Sequence, residues 1–301
     1  MATNLSLKFL GVRAIHSSPG KKNQTTGGNT SCIELCDGAH TLFINAGFGI
    51  NFAGDLIVAK HLKTKTPVNA TILFSDFLWD SILGLPFFTP IHFPSTELDV
   101  LTGIPIEHAQ SGLNDASSPL FSPFNGIEGF RAAISIRTVN EAMTLGAWTI
   151  KALAMAHPLT PYPVTLWRLT HDSGRDIGIV MLSDTDKKSR DAIACFLDGC
   201  STLICAASTS PNKDGWDCHR TGFKDALAIA LQLRVQDLYL TQFHPCMTDV
   251  LLQRELLGLQ AVLSSNIKNG DSSAANLKIH LGSEISAALT PAISCNLKRT
   301  A

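Results

Sequence analysis

The sequence predicts an α/β protein in four layers, an αββα sandwich of two β-sheets face to face with helices on each outer surface. Three observations point there. Short β-type runs separated by Gly, Ser, Asn and Thr loops occupy the first part of the chain, and strands then alternate with amphipathic helices. With 45% apolar residues over 301 positions, the chain can bury a large core. Strands first and alternation later fit two sheets better than a single doubly wound one.

Taken in order, Ser6–Val12, Cys32–Leu35 and Thr41–Ala46 read as strands bounded by turn-forming residues. Phe48–Leu62 spaces Ile50, Phe52, Leu56, Ile57 and Ala59 as a helix does. Asn69–Phe74 is a compact buried strand, and Asp80–Phe88 a turn with a short helix. The segment 92–123, with Ser and Pro clustered at 111–123, reads as a loop-rich insertion or lid within one domain spanning 1–301. Ala132–Thr138, Trp148–Ala156, Val164–Thr170 and Ile177–Ser183 follow as strands. Helices at Lys187–Phe196 and Phe223–Gln232 each precede a strand, Thr202–Ala206 and Asp237–Thr241. A helix at Met247–Gly258 and a strand at Leu277–Leu281 complete the order, with no repeat at a fixed short period.

Charge narrows the function classes. There are 24 Lys+Arg against 25 Asp+Glu, and only 16% of residues are charged. A polycation that grips nucleic acid by bulk charge is excluded, as is an acidic disordered tail. No apolar run approaches the roughly 18–20 residues of a membrane span. Glu34 is the first acidic residue, after Lys8, Arg13, Lys21 and Lys22, but the strand at Ser6–Val12 and the lack of a long apolar stretch argue against a targeting peptide. The eight cysteines (Cys32, Cys36, Cys195, Cys200, Cys205, Cys218, Cys246 and Cys295) show no CxxC spacing and mostly sit in apolar runs. They read as reduced, buried thiols of a cytoplasmic protein. Cys32 and Cys36, four apart on a strand, lie too far apart to share a tetrahedral ion.

Several stretches together resemble the metallo-β-lactamase fold in its phosphodiesterase-like and ribonuclease Z-like branch. They begin with Lys8–Arg13, Pro19-Gly20 and Gly27–Cys32, which match the opening hairpin. Leu42–Gly47 sits where that family has a strand ending in Asp-Ala-Gly, and Phe74–Phe88 matches its metal loop with Trp-Asp and Gly-x-Pro-Phe-Phe flanks. Ala156-His157-Pro158, Ser183–Asp186 and Leu240–Pro245 then follow in the family's order. The likeness spans nearly the whole chain and implies the αββα sandwich.

The departures fall on the metal site. The family's loop is His-x-His-x-Asp-His, because two adjacent metal ions need imidazoles and a carboxylate converging from one turn. Here it reads Asp76-x-Leu78-x-Asp80-Ser81. A late family His is Gln242, and the Asp that supports the loop is Asn45. Asp80, His157 and Asp184 are retained. The resemblance therefore implies vestigial metal positions at Asp76, Asp80, His157, Asp184 and Gln242 and no cofactor. If any ion binds, it is a single Mn or Zn ion, and the O/N/O set of Asp76, His157 and Asp184 favours Mn²⁺ or Mg²⁺. Without metal, the carboxylates of Asp76, Asp80 and Asp184 face one another and raise each other's pKa, so His157 or a basic side chain is expected to close onto them.

Other candidates carry a bland reading beside the functional one. His219 lies near the family's Gly-His-x-Thr element, as a general acid or phosphate contact or as a loop histidine. His244, two residues past the lost ligand, reads as a solvent-facing or supporting residue. Lys187, Lys188 and Arg190 read as a solvated helix start or a phosphate contact. Phe87, Phe88, Phe93, Phe121 and Phe124 are candidates for a lid or an apolar contact surface. The function expected is a catalytically degenerate protein that binds a protein partner or a small ligand in the old cleft, as a homodimer or a heterodimer with an active relative. The alternative is a phosphodiesterase-like hydrolase, in which Asp80 and His219 would be catalytic.

Overall fold

The computed structural model describes residues 5–116, 126–156, 162–181, 187–208, 222–270 and 272–284. The first sheet has six strands in sequence order: β1 Ser6–Gly11, β2 Cys32–Cys36, β3 Thr41–Ile44, β4 Val68–Leu73, β5 Thr96–Thr102 and β6 Ala133–Thr138. β1 to β3 pair antiparallel, and β3 to β6 pair parallel. The second sheet comprises β7 Met143–Leu145, β8 Trp148–Met155, β9 Val164–His171, β10 Arg175–Val180, β11 Thr202–Ala206, β12 Asp237–Thr241 and β13 Lys278–Leu281, again in sequence order. Its β7 to β10 are antiparallel and its β10 to β13 parallel.

Strand alternation assigns each residue to a layer. Ile33 and Leu35 of β2, Leu42 and Ile44 of β3 and Leu73 of β4 join Trp148, Ile150 and Leu166 in the core between the sheets. Their neighbours Cys32, Phe43, Ala70 and Ile72 face the other way, onto Ile50, Ala53 and Phe88. These belong to the outer helical layer, made of α1 Ile50–Thr64, α2 Trp79–Ile82 and α3 Ile106–Ala116. On the second sheet, α5 Phe223–Leu233 packs on β11 and β12, α6 Asp249–Lys268 on β13, and α4 Lys187–Phe196 on α5. Strands buried on both faces explain the continuous apolar runs Leu42–Ile44 and Leu203–Ala206.

Two expectations need correction. Within 92–123, read as loop-rich, the structure has a central parallel strand and a helix of three turns, and 117–123 lies outside the described residues. β5 was obscured because Glu97 and Asp99 occupy its core-side parity. The sandwich opens there into a cleft of about 490 Å³ that Asn69, Thr71, Glu97, Asp99 and Ser135 help to line, and Arg137 pairs with Asp99 at 2.6 Å. α6 also runs ten residues past Gly258. That glycine faces open space, so it costs helix propensity, about 1 kcal/mol, without ending the helix.

The N-terminus of α6 holds the hairpin that follows β1. Thr248 caps the helix by accepting the Leu251 N–H. Asp249 accepts the N–H groups of Thr25 at 2.7 Å and Thr26 at 3.0 Å, and also the Thr26 hydroxyl. Burial raises this carboxyl, but the bonds from Thr26 and Thr25 outweigh it and hold the group below the usual range. A depressed folded-state value stabilises the fold above the unfolded pKa, and that stability is lost as pH falls through the folded value. Asp249→Asn is therefore expected to cost about 1–2 kcal/mol near neutrality and progressively less as pH falls through the carboxyl's depressed value. Urea titrations at neutral and at acid pH check both magnitude and sign.

Candidate functional site

The loops at the C-terminal ends of β3, β4 and β12 come together at one end of the sandwich. Two non-glycine residues just after strands take left-handed conformations, Asn45 after β3 (φ 62°) and Gln242 after β12 (φ 53°). A third is Ile15, at φ 66°, where a β-branched side chain is strained. Its N–H donates to Asp80 Oδ2 at 3.1 Å, so the strained turn is aimed at that carboxylate.

The loop after β4 is built on local hydrogen bonds. Asn45 Oδ1 accepts the Ser75 N–H at 2.8 Å, which fixes which end of the amide is oxygen. Asp76 Oδ1 accepts the Leu78 N–H at 3.0 Å, an Asx turn that leads into α2. Ser81 O accepts the Ala46 N–H at 2.6 Å and ties α2 to the end of β3. Gln242 Nε2 donates to Ser31 Oγ at 3.1 Å, and Ser31 O accepts the Gly47 N–H. Asp76, Asp80, Ser81, Asn45 and Gln242 are all buried.

Thus Gln242 shares one region with Asp76 and Asp80, from which it is widely separated in sequence. None of the three is without a partner. His157, Asp184 and His219 lie outside the described residues, as does the expected closure of His157 onto the carboxylates. His244 is buried, and its Nδ1 accepts the Cys246 N–H at 3.2 Å, so the solvent-facing reading is corrected. Phe88 is fully buried, whereas Phe87 is exposed; Phe121 and Phe124 lie outside the described residues. Of the cysteines, Cys32, Cys200 and Cys205 are buried, and burial pushes the Cys32 thiol well up and that of Cys200 up to about 12. Cys195 and Cys246 are exposed, which departs from the expected burial.

The residue missed in the sequence is Arg13. It is fully buried, and its guanidinium donates to Gly27 O at 2.7 Å, Met247 O at 2.6 Å and Thr26 Oγ1 at 3.1 Å. Burial lowers its pKa, opposed by the charges of Asp249 and Glu284. Its position directly after the apolar run Phe9–Val12 was the available signal.

Among solved structures, the metallo-β-lactamase fold protein YhfI from Bacillus subtilis superposes with a TM-score of 0.60 at 13% identity, covering 93% of this chain and 96% of that one. The chain has the metallo-β-lactamase fold. A diphosphatase of the PhnP family matches with a TM-score of 0.57 at 13% identity, over 92% and 96% of the two chains. The short form of human tRNase Z gives 0.54 at 15% identity, over 79% and 93%. No protein-family model and no curated protein matches the sequence.

Metallo-β-lactamase-fold enzymes imply a metal centre, and the donors seen here fit one poorly. Leu78 has no electron pair to give, and Ser81 is a weak ligand when neutral. Where a carboxylate would support the loop, Asn45 buries an amide whose Nδ2 has no partner among the described residues. An N–H₂ donor repels a cation. Among the described residues, no group of three or more His, Cys, Asp and Glu side chains is placed to hold a metal ion. No helix of the described residues is long and apolar enough to span a membrane.

Proposed function

We propose that this protein acts by binding, with a small polar ligand in the cleft that its fold relatives use for metal hydrolysis, and not as a two-metal hydrolase. The Asn45 amide carries this reading. Its oxygen is held by the Ser75 N–H, and its buried nitrogen is left with an unmet donor. The hydroxyls of Ser75, Ser81 and Thr241 are likewise buried without partners among the described residues. Each such group costs about 1–3 kcal/mol unless something hydrogen-bonds to it. Neutral donors and acceptors of this kind suit a ligand rich in hydroxyl, carbonyl or phosphoryl oxygen better than a bare cation.

The names of the fold relatives, a diphosphatase and a tRNase Z, keep hydrolysis as the competing reading. In that case Asp76, His157 and Asp184 would hold one ion. Assay of a phosphodiester such as bis(p-nitrophenyl) phosphate with added Mn²⁺ or Zn²⁺ separates the two. No turnover above the metal blank is expected. Turnover that is lost in Asp184→Ala overturns the binding reading.

A further inference from the structure

The inner face of the first sheet changes character toward the N-terminal ends of its strands. Thr71, Asp99 and Ser135 lie side by side across β4 to β6, and Asn69, Glu97 and Ala133 form the next row, farther from the C-terminal strand ends. All six line the cleft of about 490 Å³, a volume within the range of small-molecule sites. Leu145 of β7 faces them from the second sheet. Beside the cleft, the His40 ring, just before β3, lies against Gly146, just after β7. A Cβ on that glycine would fall 2.0 Å from the ring. The contact joins the two sheets there, so the cleft is preformed.

The polar groups in the cleft are not spent on one another. Arg137 pairs with Asp99 at 2.6 Å and neutralises that carboxylate. Among the described residues, the side chains of Asn69, Thr71, Glu97 and Ser135 make no hydrogen bond or ion pair. Thr71 is only 5% exposed, and it shares the parity of the core residue Leu73, so its hydroxyl is aimed between the sheets. Glu97, exposed above it, leaves the cleft with one uncompensated negative charge among hydroxyls and an amide. We propose that this cleft is a second ligand site, for a small primary amine that carries hydroxyl groups, the chemistry of amino alcohols and amino sugars. The ammonium donates to the Glu97 carboxylate and the Asn69 amide oxygen, and the hydroxyls bond Thr71, Ser135 and the Asp99 carboxylate. The free carboxylate disfavours an anion, and the buried Thr71 hydroxyl disfavours a purely apolar amine, which would leave it without a partner. The cleft lies at the opposite end of the strands from Asn45 and Asp80, so it stands or falls independently of the ligand proposed there.

A backbone-amide NMR titration of the full chain in mildly acid buffer tests the site, with glucosamine, its neutral counterpart glucose, and cyclohexylamine as probes. Glucosamine is expected to shift resonances at 69–71, 97–99 and 133–135 and leave 75–81 in place, and to bind about fivefold more tightly than glucose. Glu97→Gln, at an exposed side chain, is expected to erase that preference with an unchanged melting temperature, and Thr71→Val to weaken glucosamine severalfold. No shifts with glucosamine, shifts confined to 75–81, or binding indifferent to Glu97→Gln overturns the proposal. Equal binding of glucose overturns the role of the charge, and equal binding of cyclohexylamine overturns that of the hydroxyls.

Discussion

Arg13→Ala is expected to remove about 3–5 kcal/mol of stability, the cost of taking away one partner in a buried charged network. The guanidinium joins two separate segments, the loop that carries Thr26 Oγ1 and Gly27 O and the turn that carries Met247 O. Truncation takes a donor from the buried Met247 carbonyl and the partly buried Gly27 carbonyl, and deprives Asp249 and Glu284 of a nearby positive charge. Burial holds the Glu284 carboxyl above its usual range, against the pull of the Asn29 and Gly28 donors and of Arg13. Arg13 also bridges to Thr30 and Phe243 through its backbone, so the hairpin and the strand end at β12 loosen together. The melting temperature is expected to fall by about 5–15 °C. Arg13→Lys is expected to recover only a small part, because one ammonium cannot satisfy a planar fork of acceptors. Full rescue by lysine would show that charge alone matters.

Gly47→Ala is the second large effect, at about 3 kcal/mol or more. A Cβ there would lie 2.4 Å from Asp80 O, 2.6 Å from Thr30 C and 2.7 Å from Ser31 O, all backbone atoms that cannot swing aside. Gly84 is in the same position on the facing loop, its would-be Cβ 2.1 Å from Gly47 O. These two glycines let the end of β3 and α2 pack backbone to backbone, which is how Asp80 comes under the Ile15 N–H. Circular dichroism melts of Gly47→Ala check it. A loss below about 1 kcal/mol would mean that the two loops shift apart freely.

Much of this architecture is legible in the chain because the signals were local. Thr202–Ala206 and Asp237–Thr241 are bounded where their apolar runs begin and end, and both are strands with those limits. Lys187–Phe196 is a helix with the limits its periodicity predicts. β5 was hidden for a different reason. Its Glu97 and Asp99 face a cleft, so its alternation carries charge where a core strand carries valine or leucine. Gly258 looked like a helix end because a glycine's effect depends on which side of the helix it faces, which a single sequence does not state.

The site was legible in part. The metal loop pattern placed Asp76 and Asp80 together, and the fold brings Gln242 to the same region through Ser31 and Gly47. The burial of Arg13 was not legible, since two of its acceptors, Gly27 O and Met247 O, are backbone carbonyls that carry no side-chain signal, and Met247 lies far along the chain. Nor was the unmet Asn45 nitrogen, which depends on the Ser75 N–H taking the amide oxygen.

Loss of the metal centre is the central claim, and metal content tests it most directly. The chain is produced in medium supplemented with Mn²⁺ and Zn²⁺, dialysed without chelator and analysed by plasma mass spectrometry. Well below one metal ion per chain is expected, unchanged in Asp80→Ala and Asp184→Ala. One or more Mn or Zn ions per chain, lost in those variants, would contradict it.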